Sequence, residues 1–295
     1  MFQSPIAAIH HQIDNIPPLP ATVTYVLDVI ANPDSSADDL MRAILPDQTM
    51  CGVILNVANS AAFGLPKQVH TIERALMVLG FDEIKNIIIG KAVFSSFPKL
   101  SSDTIQRVGV FWEHAFTCGL AAKIIGEHYK LSPSELFISG LIHDIGKLVM
   151  LMAFPGEYPI LNEHSLANHF QSTGAEIDEY GTKHDEVGLE LARRWSLPQG
   201  LTSAIGYHHR PDDAPCYKQH PLIIQVADIL SLMYCCSEIT DPKDVENVFY
   251  DFLPGTYTLW LQNGLPLEPE NLGIWYQALL ETREQDQQLL TTLSA

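Results

Sequence analysis

His143 and Asp144 stand side by side in Leu136–Met150, a run that is apolar apart from this pair, Ser139 and Lys147. An ionised carboxylate in such surroundings is costly to bury unless a cation compensates it, and a divalent metal would do so. Further polar residues occupy positions where apolar ones belong. His114 lies in Phe111-Trp112-Glu113-His114-Ala115-Phe116, His184 opens an amphipathic stretch, and His208-His209 closes another. Asp228 sits within Ile223-Ile224-Gln225-Val226-Ala227-Asp228-Ile229-Leu230, where a lone carboxylate needs a partner. Each taken singly reads as a hydrogen-bonded core residue. Together they place imidazoles and carboxylates on separate helices, and these ligand types suit zinc, manganese or iron. Several helices converging on one interior point is an established way to build such a centre. His10, His11, His70, His128, His164, His169 and His220 lack this context and carry no assigned role.

The elements that must position these residues read as helices. Apolar residues recur at helical spacing over 22–31, 50–62, 71–79, 82–94, 108–128, 134–154, 175–195, 198–208 and 222–235, with a final helix near 272–290. Ser35-Ser36-Ala37-Asp38-Asp39 supplies an N-cap with acidic first-turn residues, and Ser132-Pro133-Ser134-Glu135 another start signal. Asn59-Ser60-Ala61-Ala62-Phe63-Gly64 reads as a helix end, with Asn59 placed to hydrogen-bond across a subdomain seam. That seam is expected where Pro98–Ser102 interrupts the pattern. Few segments alternate long enough for a sheet. The fold class is therefore all-α, divided into an N-terminal helical subdomain (1–107), a core bearing the candidate ligands (108–237) and an accessory helical segment (238–295).

Composition narrows the function. The chain has 295 residues, of which 46% are hydrophobic, enough for a substantial core. Its 35 acidic against 17 basic residues give a formal charge of −18, which repels polyphosphate backbones and disfavours nucleic-acid partners. Five cysteines without a CxxC pair read as reduced thiols of a cytoplasmic protein, and the adjacent Cys235 and Cys236 as helix packing. No leader is evident at Met1-Phe2-Gln3-Ser4-Pro5, and the apolar window 136–154 reads as a buried helix, so no membrane is expected.

The ordered set His114, His143-Asp144 and Asp228 resembles the HD superfamily of metal-dependent phosphohydrolases. His143-Asp144-Ile145-Gly146-Lys147 with His184 and His208-His209 is similar to its two-metal HD-GYP branch, which hydrolyses cyclic di-GMP. Leu19-Pro20, Asn59–Gly64, Ala75-Leu76-Met77-Val78-Leu79-Gly80 and Trp195-Ser196-Leu197-Pro198 resemble the HDOD family, bacterial signalling modules of which many lack the metal ligands. The resemblance spans roughly residues 15 to 235 and implies a multi-helix HD bundle with an N-terminal helical subdomain. It implies that His114, His143, Asp144 and Asp228 hold a first divalent metal (iron, manganese, zinc or magnesium), with Asp144 bridging to a second. His184 with His208 or His209 would complete the second site, the other histidine of that pair standing behind it or facing substrate, and Lys147 would meet a phosphate oxygen. Two metals could polarise a phosphoryl group without a side-chain nucleophile.

Two departures from HD-GYP matter. Arg210-Pro211-Asp212-Asp213-Ala214-Pro215 stands where that branch has its cyclic-dinucleotide signature. A further carboxylate one turn before His114 would fall at Val110, which cannot serve as a ligand. Two functions follow as expectations. One is a phosphohydrolase or phosphodiesterase acting on a phosphorylated small molecule or nucleotide. The other is a non-catalytic signalling scaffold with protein partners and a structural metal.

Overall fold

The computed structural model describes residues 4–32, 34–59, 68–97, 102–158, 166–236, 245–253 and 255–285. Every regular element among them is helical and none is a strand, as the periodicity requires. The helices are α1 (Pro5–Asn15), α2 (Ala21–Ala31), α3 (Ala37–Ile44), α4 (Gln48–Ala58), α5 (Ile72–Leu79), α6 (Phe81–Ser96), α7 (Ser102–Tyr129) and α8 (Pro133–Ile142). They continue as α9 (Ile145–Ala153), α10 (Leu166–Tyr180), α11 (His184–Arg194), α12 (Gln199–Tyr207), α13 (Gln219–Cys236), α14 (Val245–Phe252), α15 (Thr256–Gln262) and α16 (Pro269–Gln285). The chain divides into two compact units, 17–98 with 282–295, and 1–16 with 99–281.

In the first unit, side chains close the helix starts as the sequence leads one to expect. Ser36 and Asp39 form a reciprocal capping box at α3, Asp47 accepts from the Met50 N–H at α4, and Thr71 accepts from Arg74 at α5. Val23, Val26, Leu40, Ile44, Ile54, Ile84 and Ile88 form the buried interior. Asn59 does not cross a seam. Its side-chain amide is spent inside this unit, accepting from the Val69 N–H at 2.7 Å and donating to the Val69 and Leu55 carbonyls at 2.8 Å each. The remainder of the expected 50–62 helix, Ser60–Gly64 and the Pro98–Ser101 seam lie outside the described residues.

The second unit carries every candidate ligand. α7 packs along α8 and α13, α11 along α9 and α12, and α12 on α8 and α13. α1 also belongs here, lying against α9 and tied to α11 by His10–Glu190 at 3.0 Å and Asp14–Arg194 at 2.6 Å. α7 and α8 touch through backbone: a Cβ on Gly140 would lie 2.8 Å from the Gly119 Cα. That crossing fixes the phase of both helices, one presenting His114 and the other leading into His143.

Two expected helices are broken, and both breaks serve the site. The 134–154 helix stops at Ile142 and restarts at Ile145, with Asp144 at φ −99°, ψ 16°. The 175–195 helix is interrupted by Gly181 (φ +76°) and Lys183 (extended, φ −122°, ψ 157°), so His184 becomes the first residue of α11. Hydrophobic period hides the first break, because apolar residues continue on both sides of it, while the polar 181–186 stretch carries the second. The C-terminal segment also holds α14 and α15, which the sequence reading passed over, while 286–290 of the expected last helix fall outside the described residues. The apolar Val108–Tyr129 and Pro133–Ala153 stretches are long enough to span a membrane by composition, but 61% and 89% of their apolar windows are buried inside the fold.

Candidate metal centre

His114, His143, Asp144, His184, His208, His209 and Asp228 converge on one interior point from α7, the α8–α9 break, α11, the end of α12 and α13. The Asp144 carboxylate lies at its middle and is fully buried. Its Oδ2 faces His143 Nε2 at 3.2 Å and His114 Nε2 at 3.8 Å, and both imidazoles also face Asp228 Oδ1, at 3.6 and 3.1 Å. Its Oδ1 faces His184 Nε2 at 3.2 Å and His208 Nε2 at 3.5 Å. His209 joins this second set, its Nε2 lying 2.9 Å from His184 Nε2. One carboxylate thus separates two ligand groups, and each oxygen addresses one of them.

Four of the histidines, His114, His143, His184 and His208, are held with Nδ1 outward and Nε2 inward. His143 Nδ1 donates to the Gly140 carbonyl at 2.7 Å, and His208 Nδ1 to the Ile205 and Ala204 carbonyls at 3.0 and 3.2 Å. Ser231 spends its single hydroxyl proton on the Asp228 carbonyl at 2.7 Å, so its Oγ must accept from His114 Nδ1 at 3.0 Å. His184 Nδ1 donates to Glu176 at 2.9 Å, and Glu176 also accepts the His184 backbone N–H at 2.9 Å. A proton fixed on Nδ1 leaves the Nε2 lone pair available, the tautomer a metal ligand needs.

The donor set fits divalent cations. Nε2 of His114, His143 and His208 are buried atoms that make no well-formed hydrogen bond among the described residues, which is an expensive arrangement for polar groups with no shared centre. Ligand nitrogens of His184, His208 and His209 lie within 4.8 Å of one another, close enough to address one cation. Without a cation, protons and Lys147 do the neutralising. Burial disfavours the charged form of His143, yet Asp144 outweighs it and raises the His143 pKa well above its ordinary value. Burial likewise opposes charge on His184, but Glu176 and Asp144 lift it to about 10. Asp144 is held well below the usual carboxylate range because, against burial, His143 and Lys147 favour its ionised form. His208 is pushed down, by burial first and by its imidazole neighbours next.

Every candidate from the sequence falls within this group, but Lys147 does so differently from expectation. Its ammonium lies 2.7 Å from Asp144 Oδ2 and is buried, turned onto the carboxylate itself. Val110, the position one turn before His114, is exposed at 42%. Sequence reasoning missed Glu176 and Tyr158, whose hydroxyl donates to Glu176 Oε1. Glu176 sits among Asp178 and Glu179, both exposed, and only burial distinguishes it. At the rim, Arg210 pairs with buried Asp185 at 3.5 Å and with Glu186 and Asp213 at 3.6 and 3.4 Å, while Lys183 reaches Asp185 at 3.3 Å.

The HDOD domain model matches residues 16–211, about two thirds of the chain, and the chain belongs to the HDOD family. An uncharacterised protein of Treponema pallidum is 28% identical over 225 residues, covering 75% of this chain and 42% of its own length. Ribonuclease Y of Desulfotalea psychrophila is 29% identical over 119 residues, covering 40% of this chain and 16% of that enzyme. This chain therefore spans less than half the length of these curated relatives. A crystal structure from Shewanella amazonensis, provisionally named a phosphohydrolase, superposes with TM-score 0.68 at 22% identity, covering 97% of this chain and 98% of that one. At that identity the likeness establishes the HD-type helical fold.

Proposed function

We propose that this chain is a bacterial signalling protein whose HD-type centre holds two divalent cations and hydrolyses a small phosphate ester. The observation that carries this reading is Asp144, whose two oxygens each face a separate set of inward Nε2 atoms. His114, His143 and Asp228 would hold one cation, His184, His208 and His209 the other, with Asp144 between them. Divalent cations there supply Lewis-acid polarisation of a phosphoryl oxygen and water of lowered pKa.

The chain's own residues do the rest. Glu176 orients His184, Gly140 and Ile205 carbonyls orient His143 and His208, and Ser231 orients His114. Lys147, the buried cation at the centre, neutralises Asp144 and is placed to transfer to a phosphate oxygen when cations take over that carboxylate. The Ribonuclease Y match supports phosphodiester chemistry, since a ribonuclease cleaves that bond. A charge of −18 argues for a small ester over a polynucleotide.

A second reading, a non-catalytic scaffold with a structural metal and protein partners, is favoured by one observation. The cations around the centre are already neutralised, Lys147 by Asp144 and Arg210 by Asp185, Glu186 and Asp213. Metal analysis of protein purified without chelator, beside Asp144→Ala, tests the shared premise. The expected result is about two equivalents of metal in the parent and strong loss in the variant. Equal content in both sinks both readings. Assays of phosphomonoesters and cyclic and linear dinucleotides with manganese or iron(II) then decide between them: stoichiometric metal without turnover leaves the scaffold.

A further inference from the structure

A second opening lies away from the metal centre. A pocket of about 440 Å³ sits between α11 and α12, and none of the ligand-set residues lines it. It uses the face of α12 bearing Gln199, Ser203 and Tyr207; at about 100° per residue, His208 projects from the opposite face. The volume falls within the usual range of small-molecule sites.

The lining is chemically one-sided. It contains no Asp or Glu, although the chain has 35 of them, and it does contain Arg193. Arg194 next door is committed to Asp14, whereas the Arg193 guanidinium has no ion-pair partner among the described residues. The Ser196 hydroxyl and the Gln199 amide, also in the lining, likewise make no side-chain hydrogen bond among the described residues. Three solvent-exposed donors not committed to other side chains among the described residues therefore line a carboxylate-free hollow. Leu189 and Leu197 supply apolar wall, and Tyr207 a flat aromatic one. The far wall is fastened to α12 by the Ser203 hydroxyl, which donates to the Cys216 carbonyl at 2.9 Å.

The backbone around the pocket is held in uncommon conformations. Among the described residues, positive φ at non-glycine positions occurs at Lys130, Ser196 and Tyr217. Ser196 lines the pocket and Tyr217 follows Cys216, which also lines it. At Ser196 the left-handed conformation closes α11, with the Leu197 N–H returning to the Ala192 carbonyl and the Ser196 N–H to the Arg193 carbonyl, both at 3.0 Å, and this cap sets the shape of the pocket wall.

We infer that this pocket binds a small organic phosphate with a planar body, of mononucleotide size, as a site separate from the metal centre. Arg193 would take the phosphate through its planar fork of donors, with Ser196 and Gln199 beside it, and the planar body would lie along Tyr207 and the leucines. The inference stands whether or not the metal centre turns over substrate.

Calorimetry of the full chain with AMP, GMP and inorganic phosphate tests it, using the parent, Arg193→Gln, Asp144→Ala and chelator-treated parent. The expected result is saturable binding of AMP or GMP, weakened about tenfold or more by Arg193→Gln and unchanged by Asp144→Ala or chelation. The bound nucleotide should also slow alkylation of the exposed Cys216 by iodoacetamide, followed by mass mapping of its peptide. Arg193 is exposed, so its replacement leaves the core intact. Absence of saturable binding overturns the inference, as does undiminished binding in Arg193→Gln. Loss of binding on chelation assigns the nucleotide to the metal centre and also overturns it. Inorganic phosphate binding as tightly as AMP would remove the planar ligand.

Discussion

Glu176 and Asp144 occupy opposite ends of His184, one accepting its Nδ1 proton and the other facing its Nε2. A carboxylate behind a ligating imidazole raises its basicity and fixes its ring. Glu176→Gln should therefore weaken manganese or zinc affinity about 10- to 100-fold while leaving the circular dichroism spectrum unchanged. The protonation pattern yields a second prediction. Raised pKa values leave His143 and His184 charged at pH 7 in the metal-free chain, and a lowered one leaves His208 neutral. A cation takes neutral imidazole, so loading at pH 7 should release about two protons, measurable by calorimetry in buffers of different ionisation enthalpy. Apparent affinity should rise with pH until it approaches about 10, the His184 value. The stability sign runs the other way. The pairing of His184 contributes fully below its ordinary 6.5 and is lost as pH rises toward about 10, so the metal-free melting temperature should fall across that window. Metal-loaded protein, whose imidazoles are neutral throughout, should not show this fall.

Helix placement rests on backbone contacts that tolerate no side chain. A Cβ on Gly146 of α9 would collide with the His184 carbonyl and come within 2.7 Å of the Gly188 nitrogen on α11. Gly146→Ala should force apart the two helices that bring Asp144 and His184 together, costing about 1–3 kcal/mol or more and depressing metal content as well. Gly52 of α4 offers the contrast, since nothing lies within 4 Å of the Cβ it would gain. Gly52→Ala should instead stabilise the chain by about 0.4–1 kcal/mol, through lower entropy of the unfolded chain and better helix propensity. Denaturant melts of the two variants side by side check both signs. The turn at Pro211–Asp213 belongs to the same scale: Arg210 links it to Asp185 at the start of α11, bracing the two ends that carry His184 and His209.

The molecule as a whole is strongly acidic, while its proposed substrate is an anion. Long-range repulsion opposes encounter, and only cations at the centre reverse the field locally. Raising ionic strength from about 0.02 to 0.15 M shortens the screening length, so association of an anionic ester should quicken, opposite to an electrostatically steered enzyme. Stopped-flow binding of a fluorescent phosphate ester over that salt range provides the measurement. The cation-bearing pocket between α11 and α12 should show a weaker salt effect of the same sign, because Arg193 offers local attraction without a neighbouring lining carboxylate.

Much of this protein was legible in its residues. Apolar spacing of 3–4 residues declares helices, cap residues declare their starts, and histidines or acids in apolar helices declare themselves misfits that need partners. Those signals are local, which is why the all-α class and the seven candidate ligands are legible in the chain itself. Three things were decided only in three dimensions. The break at Asp144 is invisible to periodicity, because the buried apolar Ile142 and Ile145 flank it, whereas Gly181 signals the break before His184 in the sequence itself. Glu176 is compositionally the same as its exposed neighbours, and only its burial beside His184 gives it work to do. Lys147 stands three residues after Asp144, a local helical spacing present in the sequence; what only the fold decided is that the ammonium is buried with the carboxylate, so that each neutralises the other.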